Sequence, residues 1–322
     1  MNVKNKIDVV AKLSAEMKKV VEVQLASAPA EPAETNEQMR QNYETERKFW
    51  NEGGPAMHDS KDVWVEFEGN RVRARIYYPN SQSEYKTIFF IHGGGWVVGS
   101  IDTHDRIMRI LADLSGCAVI GIDYTLAPDK KYPFQIRECD AAIDHFLANF
   151  KEYKISPEFI AYAGDSAGAN MCMGTYLYRR DSGKDSGSVK AMALFYGLYG
   201  LKDSTSRSLY GNEIDWLRPE DMEYYFKEYL QSSEDEEKPY VNILNADLAW
   251  GVPPCFIGAC EFDPLKDDSV ALYEILKERS DSKFKEYKGV MHAFLHYSKM
   301  MEAASGALED GAKFISSKFK IL

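Results

Sequence analysis

The sequence contains no stretch of about 18 consecutive apolar residues, the length that a membrane-spanning helix requires. Ala26-Ser27-Ala28 has the small-residue pattern of a signal-peptidase site. However, charged residues such as Lys12, Glu16 and Lys18 interrupt the apolar segment that a signal peptide needs before that site. We therefore expect no cleaved leader and a soluble protein in the cytoplasm.

Cysteine is scarce, and its spacing indicates neither disulfides nor zinc. The five cysteines include no CxxC pair, and Cys255 and Cys260 are separated by an apolar stretch unlike a zinc knuckle. We expect reduced, mostly buried thiols.

Positive charge is also in deficit, because 39 Lys and Arg face 50 Asp and Glu for a formal net charge of −11. Surfaces that bind nucleic acid or anionic lipid need clustered cations. We therefore expect a small-molecule substrate and neither a nucleic-acid nor a membrane partner.

From residue 63 onward, strand patterns alternate with helical ones. Residues 63–67 and 73–77 have the two-residue period of half-exposed antiparallel strands. Later runs are apolar throughout, as in strands buried on both faces of a parallel sheet. With the strand at 283–287, this order predicts an α/β fold with a mostly parallel eight-stranded sheet flanked by helices. The continuous apolar runs are 88–91, 118–122, 159–163, 191–195 and 255–259.

Two segments lie outside this alternation. The N-terminal region reads as two helices with a Pro- and Ala-rich break at 28–33, and residues 196–240 are rich in aromatics without a strand pattern. We predict an N-terminal helical cap over 1–55 and a catalytic domain over 56–322 with a cap insertion near 197–240. Both segments are expected to cover the carboxyl edge of the sheet, where open α/β folds bind ligands. The apolar stripe of the first helix is Ile7, Val10, Leu13, Met17 and Val20.

Gly164-Asp165-Ser166-Ala167-Gly168 follows a predicted strand and precedes a helical stretch. A G-x-S-x-G in that context is a nucleophile elbow, in which a tight turn exposes the serine at a helix N-terminus. The alternative is a purely structural glycine turn. We predict Ser166 as a nucleophile.

His92-Gly93-Gly94-Gly95-Trp96 follows the strand at 88–91. Acyl transfer develops an oxyanion, which backbone N–H groups of side-chain-free residues can approach. We predict donors among Gly93, Gly94, Gly95 and Ala167, with His92 and Asp165 in supporting positions. A phosphate loop is the alternative, but neither GxGxxG nor GxxxxGK[ST] occurs, so no cofactor is expected.

A serine nucleophile needs a base. His292 follows the last predicted strand, which places it on a loop at the carboxyl edge of the sheet. His296 lies four residues later, but no glutamate completes HExxH, so no metal is expected. The other histidines lack a catalytic context; they are His58, His92, His104 and His145.

The base needs a carboxylate partner, and Asp263 follows the strand at 255–259. Glu261, Asp267 and Asp268 compete for this role, although the last two suit the first turn of a helix. The chain order of serine, aspartate and histidine is that of the α/β-hydrolase fold.

These motifs, HGGG and GDSAG, make the sequence resemble the hormone-sensitive-lipase family of esterases, and within it the acetyl esterases of enterobacteria. The resemblance implies hydrolysis of short acyl esters by Ser166, Asp263 and His292, and a homodimer. It also implies contacts with an activator of maltose genes and with an α-galactosidase, whereas loops 180–190 and 232–238 depart from the family pattern. Further similar segments are 13–18, 46–50, 102–109, 120–126, 253–257, 261–265 and 292–298.

Two other functions share these features. A peptidase or amidase uses the same three residues, and a regulatory binding protein can be built on a hydrolase scaffold, although such proteins have lost a catalytic residue. We favour the esterase and expect Trp96, with Tyr196 or Tyr199, to line a small acyl pocket.

Overall fold

A single eight-stranded sheet organises the part of the chain that the computed structural model describes, residues 6–28, 33–184 and 187–320. The spatial order is β1-β2-β4-β3-β5-β6-β7-β8. The strands are β1 (Asp59–Phe67), β2 (Asn70–Tyr78), β3 (Tyr85–Ile91), β4 (Ala118–Asp123), β5 (Ile155–Asp165), β6 (Val189–Phe195), β7 (Cys255–Phe262) and β8 (Lys283–Met291).

The sheet is antiparallel only at one edge. β1 pairs with β2 and β2 with β4 in antiparallel register, and the pairs from β4 to β8 are all parallel. In β1, Val63 and Val65 are buried while Trp64 between them is 51% exposed, which is the alternation expected of a strand with one wet face. The predicted mostly parallel eight-stranded sheet is therefore confirmed.

Helices cover both faces of the sheet. One core layer contains Ile136 and Leu272, and the opposite layer contains Leu111 and Leu308. None of the helices in the described ranges is long and apolar enough to cross a membrane. The helices are α1 (Ala15–Ser27), α2 (Asn36–Asn51), α3 (Asp105–Ser115), α4 (Phe134–Ala148), α5 (Ala167–Asp181), α6 (Thr205–Leu209), α7 (Pro219–Tyr229), α8 (Lys266–Leu276) and α9 (Glu302–Lys318).

The first helix is shorter than the sequence pattern suggested. The apolar stripe from Ile7 to Val20 predicts one continuous helix, but α1 begins only at Ala15. Ser14 is the N-cap, and its Oγ accepts a hydrogen bond from the N–H of Met17 at 3.1 Å, so the helix starts there. The preceding residues form a 3-10 turn at Val10–Lys12. The predicted break falls partly on residues 29–32, outside the described residues.

The insertion between β6 and β7 contains α6 and α7 and begins at a loop held by Asp268, from α8. The Oδ1 atom of Asp268 accepts the N–H groups of Tyr199, Gly200 and Leu201 at 2.8, 3.0 and 3.1 Å. Its Oδ2 atom accepts a 2.7 Å hydrogen bond from the guanidinium of Arg207. Burial raises the pKa of Asp268, and Arg207 opposes that rise. This buried ion pair therefore fixes the entry to the insertion.

Asp268→Asn is expected to lower the free energy of unfolding by about 3 kcal/mol, because the buried Arg207 would lose its counter-charge. Urea unfolding followed by circular dichroism measures the change. Glu274→Gln, which removes an exposed ion pair with Lys277 on the same helix, should change stability by less than about 0.5 kcal/mol. Equal effects of the two substitutions would contradict the role given to Asp268.

Candidate active site

The elbow between β5 and α5 presents Ser166 in a strained conformation. Ser166 has φ 52° and ψ −124°, a region that costs a non-glycine residue roughly 1–3 kcal/mol. A Cβ on Gly164 would lie 2.6 Å from the carbonyl oxygen of Ile91, and one on Gly168 would overlap the same oxygen. Both positions must therefore be glycine for the turn to pass this close to the end of β3.

Three of the predicted side chains form one hydrogen-bonded chain. His292 Nε2 lies 2.8 Å from Ser166 Oγ, and His292 Nδ1 lies 2.7 Å from Asp263 Oδ2. The other carboxylate oxygen of Asp263 accepts the N–H of Leu265 at 2.8 Å. Asp263 directly follows β7 and His292 directly follows β8. The carboxyl ends of neighbouring parallel strands thus bring the acid and the imidazole together.

The competing acids are engaged elsewhere. Glu261 accepts the N–H of Gly289 at 2.8 Å, and Asp267 accepts the N–H of Ser206 at 2.8 Å. Asp268 is held in the ion pair described above. Each of the three carboxylates therefore has a structural partner away from His292.

The remaining histidines divide into two groups. His58 is exposed and lies one residue before β1. The Nε2 atom of His145, on α4, lies 2.9 Å from the hydroxyl of Tyr153. The others, His92, His104 and His296, are buried behind Ser166.

Two carboxylates set the basicity of His292. Burial by itself would lower the pKa of His292, but the charges of Asp263 and Asp215 oppose it, and the net pKa is raised above 6.5. Asp215 lies in the insertion between α6 and α7, where the N–H groups of Asn212 and Leu217 donate to its Oδ1 at 2.9 and 3.1 Å. Burial raises the pKa of Asp215 to about 7. No motif in the sequence singles out this residue.

The backbone donors of the glycine loop are not equivalent. The N–H of Gly93 already donates to Asp165 Oδ1 at 2.9 Å. By contrast, the N–H groups of Gly94 and Gly95 meet no acceptor among the described residues. Ala167 is the first residue of α5, where a helical N–H has no intrahelical partner. Of the four predicted donors, Gly94, Gly95 and Ala167 are thus available to a ligand.

Each glycine of this loop packs against a different neighbour. Space for a Cβ is taken by Asp165 at Gly93, by the carbonyl of Val98 at Gly94, and by the ring of Tyr225 at Gly95. The predicted aromatics Trp96, Tyr196 and Tyr199 are all exposed by 1% or less, so they do not line an accessible pocket. Tyr225 carries no local sequence signal and was not predicted.

A buried polar layer supports the loop and the elbow from behind. The Nδ1–H of His92 donates to the carbonyl of Gly93 at 2.8 Å, and the His92 ring stacks on Tyr124 at 4.3 Å. His104 Nε2 faces Asp165 Oδ1 at 3.3 Å. Burial would raise the pKa of Asp165, but His104 and the N–H of Gly93 oppose it, and the net pKa is lowered. Asp165 therefore remains ionised beneath the loop.

Ligand-type atoms of His104, Asp165 and His296 lie within 4.8 Å of one another. Imidazole and carboxylate are ligands that transition metals accept. Burial lowers the pKa of His296 well below its usual value, and the positive charge of Arg47 lowers it further. The same positive charge opposes a bound cation, so we interpret the group as a packing layer around the ionised Asp165.

Comparison with known proteins places this chain among esterases. A family model described as alpha/beta hydrolase fold matches residues 88–296. The acetyl esterases of Salmonella paratyphi A and Salmonella typhi are each 45% identical over 322 residues, covering 99% of this chain and 99% of theirs.

Solved structures agree. The hyperthermophilic esterase from the archaeon Pyrobaculum calidifontis has a TM-score of 0.88 at 29% identity, over 95% of this chain and 98% of that one. A thermostable carboxylesterase cloned from a metagenomic library has a TM-score of 0.85 at 30% identity, over 89% of this chain and 98% of its own.

We expect the imidazoles near Ser166 to titrate very differently. Burial and the neighbouring His104 lower the pKa of His92 to about 3, so His92 should stay neutral down to about pH 5. Burial also lowers the pKa of His296, so its midpoint should lie well below 6.5, whereas His292 should gain its proton at a pH above 6.5. Imidazole ¹⁵N NMR measures each midpoint, with His92→Gln and His292→Gln to assign signals.

Asp215→Asn tests the electrostatic part of this result. Removing the negative charge should move the His292 midpoint to lower pH and leave His92 neutral. A His292 midpoint that is below 6.5 in the unsubstituted protein, or that ignores Asp215→Asn, would contradict this account.

Proposed function

Because the chain belongs to the alpha/beta hydrolase family, in its hormone-sensitive-lipase branch, and is a carboxylic ester hydrolase, we propose that it cleaves esters of short acids with Ser166 as nucleophile. The substrate is a small-molecule ester. The names of the relatives favour acetyl esters as its preferred substrates and favour esters over amides.

The proposed reaction begins with attack on the ester carbonyl. Ser166 Oγ forms a bond to the carbonyl carbon as His292 Nε2 takes the hydroxyl proton, and Asp263 stabilises the resulting imidazolium. The carbonyl oxygen becomes an oxyanion, which accepts hydrogen bonds from the available N–H groups of Gly94, Gly95 and Ala167. Such preorganised donors lower the barrier because they need no rearrangement as the charge develops.

Collapse of this intermediate breaks the bond to the alcohol. His292 returns its proton to the leaving oxygen, and the acyl group stays on Ser166. A water molecule then attacks the acyl carbon with His292 again accepting a proton, and the acid departs as the serine hydroxyl is restored. The same base and the same donors therefore serve both halves of the reaction.

A single observation carries this proposal: the unbroken path from Ser166 Oγ through His292 to Asp263, with links of 2.8 and 2.7 Å. A structural glycine turn would not require an imidazole at the serine hydroxyl. Asp263 Oδ2 fixes the tautomer in which Nε2 is free to accept the proton.

Several finer properties follow from the resemblance. We propose a cytoplasmic homodimer, with residues 1–55 and the insertion near 197–240 forming the cap over a catalytic domain at 56–322. The packing of α2 on the catalytic domain supports the cap role of the N-terminal helices. The guanidinium of Arg40, on α2, donates to the carbonyls of Val97 and Ala127 at 2.9 and 2.8 Å. Contacts with a maltose-gene activator and an α-galactosidase rest on the resemblance alone.

Ser166→Ala, His292→Ala and Asp263→Asn should each lower kcat by roughly 10³-fold or more, because each breaks the proton path. The double variant Ser166→Ala/His292→Ala should lose little more than either single variant. Turnover of p-nitrophenyl acetate measures the effect, and circular dichroism checks folding. Labelling of Ser166 by a fluorophosphonate should disappear in Ser166→Ala. A near-normal rate in Asp263→Asn would reject the assigned acid.

The acyl-chain preference is a separate prediction. On p-nitrophenyl esters from acetate to palmitate, kcat/KM should be greatest between acetate and about hexanoate, because the cap insertion closes over the glycine loop. A maximum at long chains would exclude the small acyl site while leaving the serine chemistry intact.

A further inference from the structure

The cap insertion contacts Gly95 of the glycine loop through the side chain of Tyr225. Tyr225, on α7, places its ring against Gly95, where an added Cβ would lie 2.5 Å from ring atom Cδ1. Gly95 is one of the free N–H donors identified above. The ring therefore lies next to the position where the ester carbonyl must bind.

Tyr225 also borders the space that a substrate can enter. Ser166, Gly94, Gly95 and Tyr225 are all partly accessible to solvent, whereas Trp96, the next residue of the loop, is buried. Solvent therefore reaches part of each of these residues, as a substrate must. The Tyr225 hydroxyl has no hydrogen-bond partner within the described part of the chain.

The ring is held firmly in place. One turn along α7, Tyr229 stacks on Trp96 with ring centroids 4.2 Å apart and parallel planes. On the other side, the hydroxyl of Tyr224 donates to Asn36 Oδ1 of α2. Contacts with the loop and with the N-terminal helices therefore make the position of α7 definite, so that its aromatic wall cannot simply move aside.

The chemistry decides which part of the ester faces this wall. The leaving alcohol must lie within reach of His292 Nε2, which returns its proton. Tyr225 packs on Gly95 in the glycine loop, and no ring contact or hydrogen bond joins it to His292 in the described part of the chain. The acyl group, which extends away from the imidazole, is the part that meets the ring.

We propose that Tyr225 is a specificity-determining residue that sets the upper size of the acyl group by closing the cleft beside Gly95. This inference rests on the proposed serine mechanism and names the residue behind its short-acyl preference. The ring, and not the hydroxyl, supplies the barrier.

The test compares kcat/KM for p-nitrophenyl octanoate with that for the acetate. Tyr225→Ala should raise this ratio about tenfold or more, because each methylene that becomes buried in the vacated space contributes about fourfold. Tyr225→Phe should keep the original ratio. Phe226→Ala is the matched control, because it removes a neighbouring ring of α7 whose centroid lies 5.6 Å from that of Trp96. This variant should leave the ratio unchanged even where the absolute rate falls.

Three results would overturn the proposal. The octanoate-to-acetate ratio could stay constant in Tyr225→Ala, or it could change equally in Phe226→Ala. Alternatively, the gain in Tyr225→Ala could appear only for acetate esters of bulkier alcohols, which would place Tyr225 beside the alcohol and not beside the acyl group. Tyr225→Leu provides a milder truncation with the same expected direction if the alanine variant does not fold. In each case Ser166-dependent hydrolysis of p-nitrophenyl acetate, together with fluorophosphonate labelling, shows that the serine mechanism itself holds.

Discussion

The close approach of the end of β3 to the elbow after β5 determines most of the site. The carbonyl oxygen of Ile91 lies where the side chains of residues 164 and 168 would otherwise be. This contact sets the tight turn that holds Ser166 at φ 52° and brings the glycine loop, which follows Ile91 directly, alongside the serine. A side chain at either glycine would separate Ser166 from the N–H groups of Gly94 and Gly95, because both are positioned by the same pair of adjacent strands.

The glycine loop then connects three parts of the molecule. Through Gly93 it is bonded to Asp165 in the elbow, and through Gly95 it touches Tyr225 in the cap insertion. Trp96, the next residue, is held in the left-handed region at φ 63° and stacks on Tyr229. The insertion consequently helps to position the glycine loop, including the proposed donors Gly94 and Gly95. A displacement of α7 would therefore alter these proposed donors and the proposed acyl site together.

Much of this arrangement could be predicted from sequence, and the omissions have physical causes. The buried central strands are continuous apolar runs, Ser166 and Asp263 each follow such a run, and His292 follows the last strand, β8. Local pattern and parallel topology therefore suffice to bring the three residues to one edge. Asp215 and Tyr225 lie in the insertion, where no strand period fixes their direction, and their positions depend on tertiary packing. The use of the Gly93 N–H by Asp165 depends likewise on a contact between segments 72 residues apart. The helix predicted over residues 7–13 is wrong because the apolar stripe continues past Ser14, a good N-cap residue after which α1 actually begins.

The electrostatics of the site depend on which buried groups keep their charge. Behind Ser166, burial keeps His92 and His296 neutral, whereas Asp165 remains ionised because His104 and a backbone N–H stabilise its charge. In front, the charges of Asp263 and Asp215 oppose the effect of burial on the pKa of His292. A base whose conjugate acid is stabilised in this way holds a proton more readily during turnover, but it must be neutral to accept one from serine. The raised pKa of His292 therefore favours the imidazolium but lowers activity at acidic pH. Asp215, whose own pKa is about 7, makes the pKa of His292 depend on a residue of the insertion.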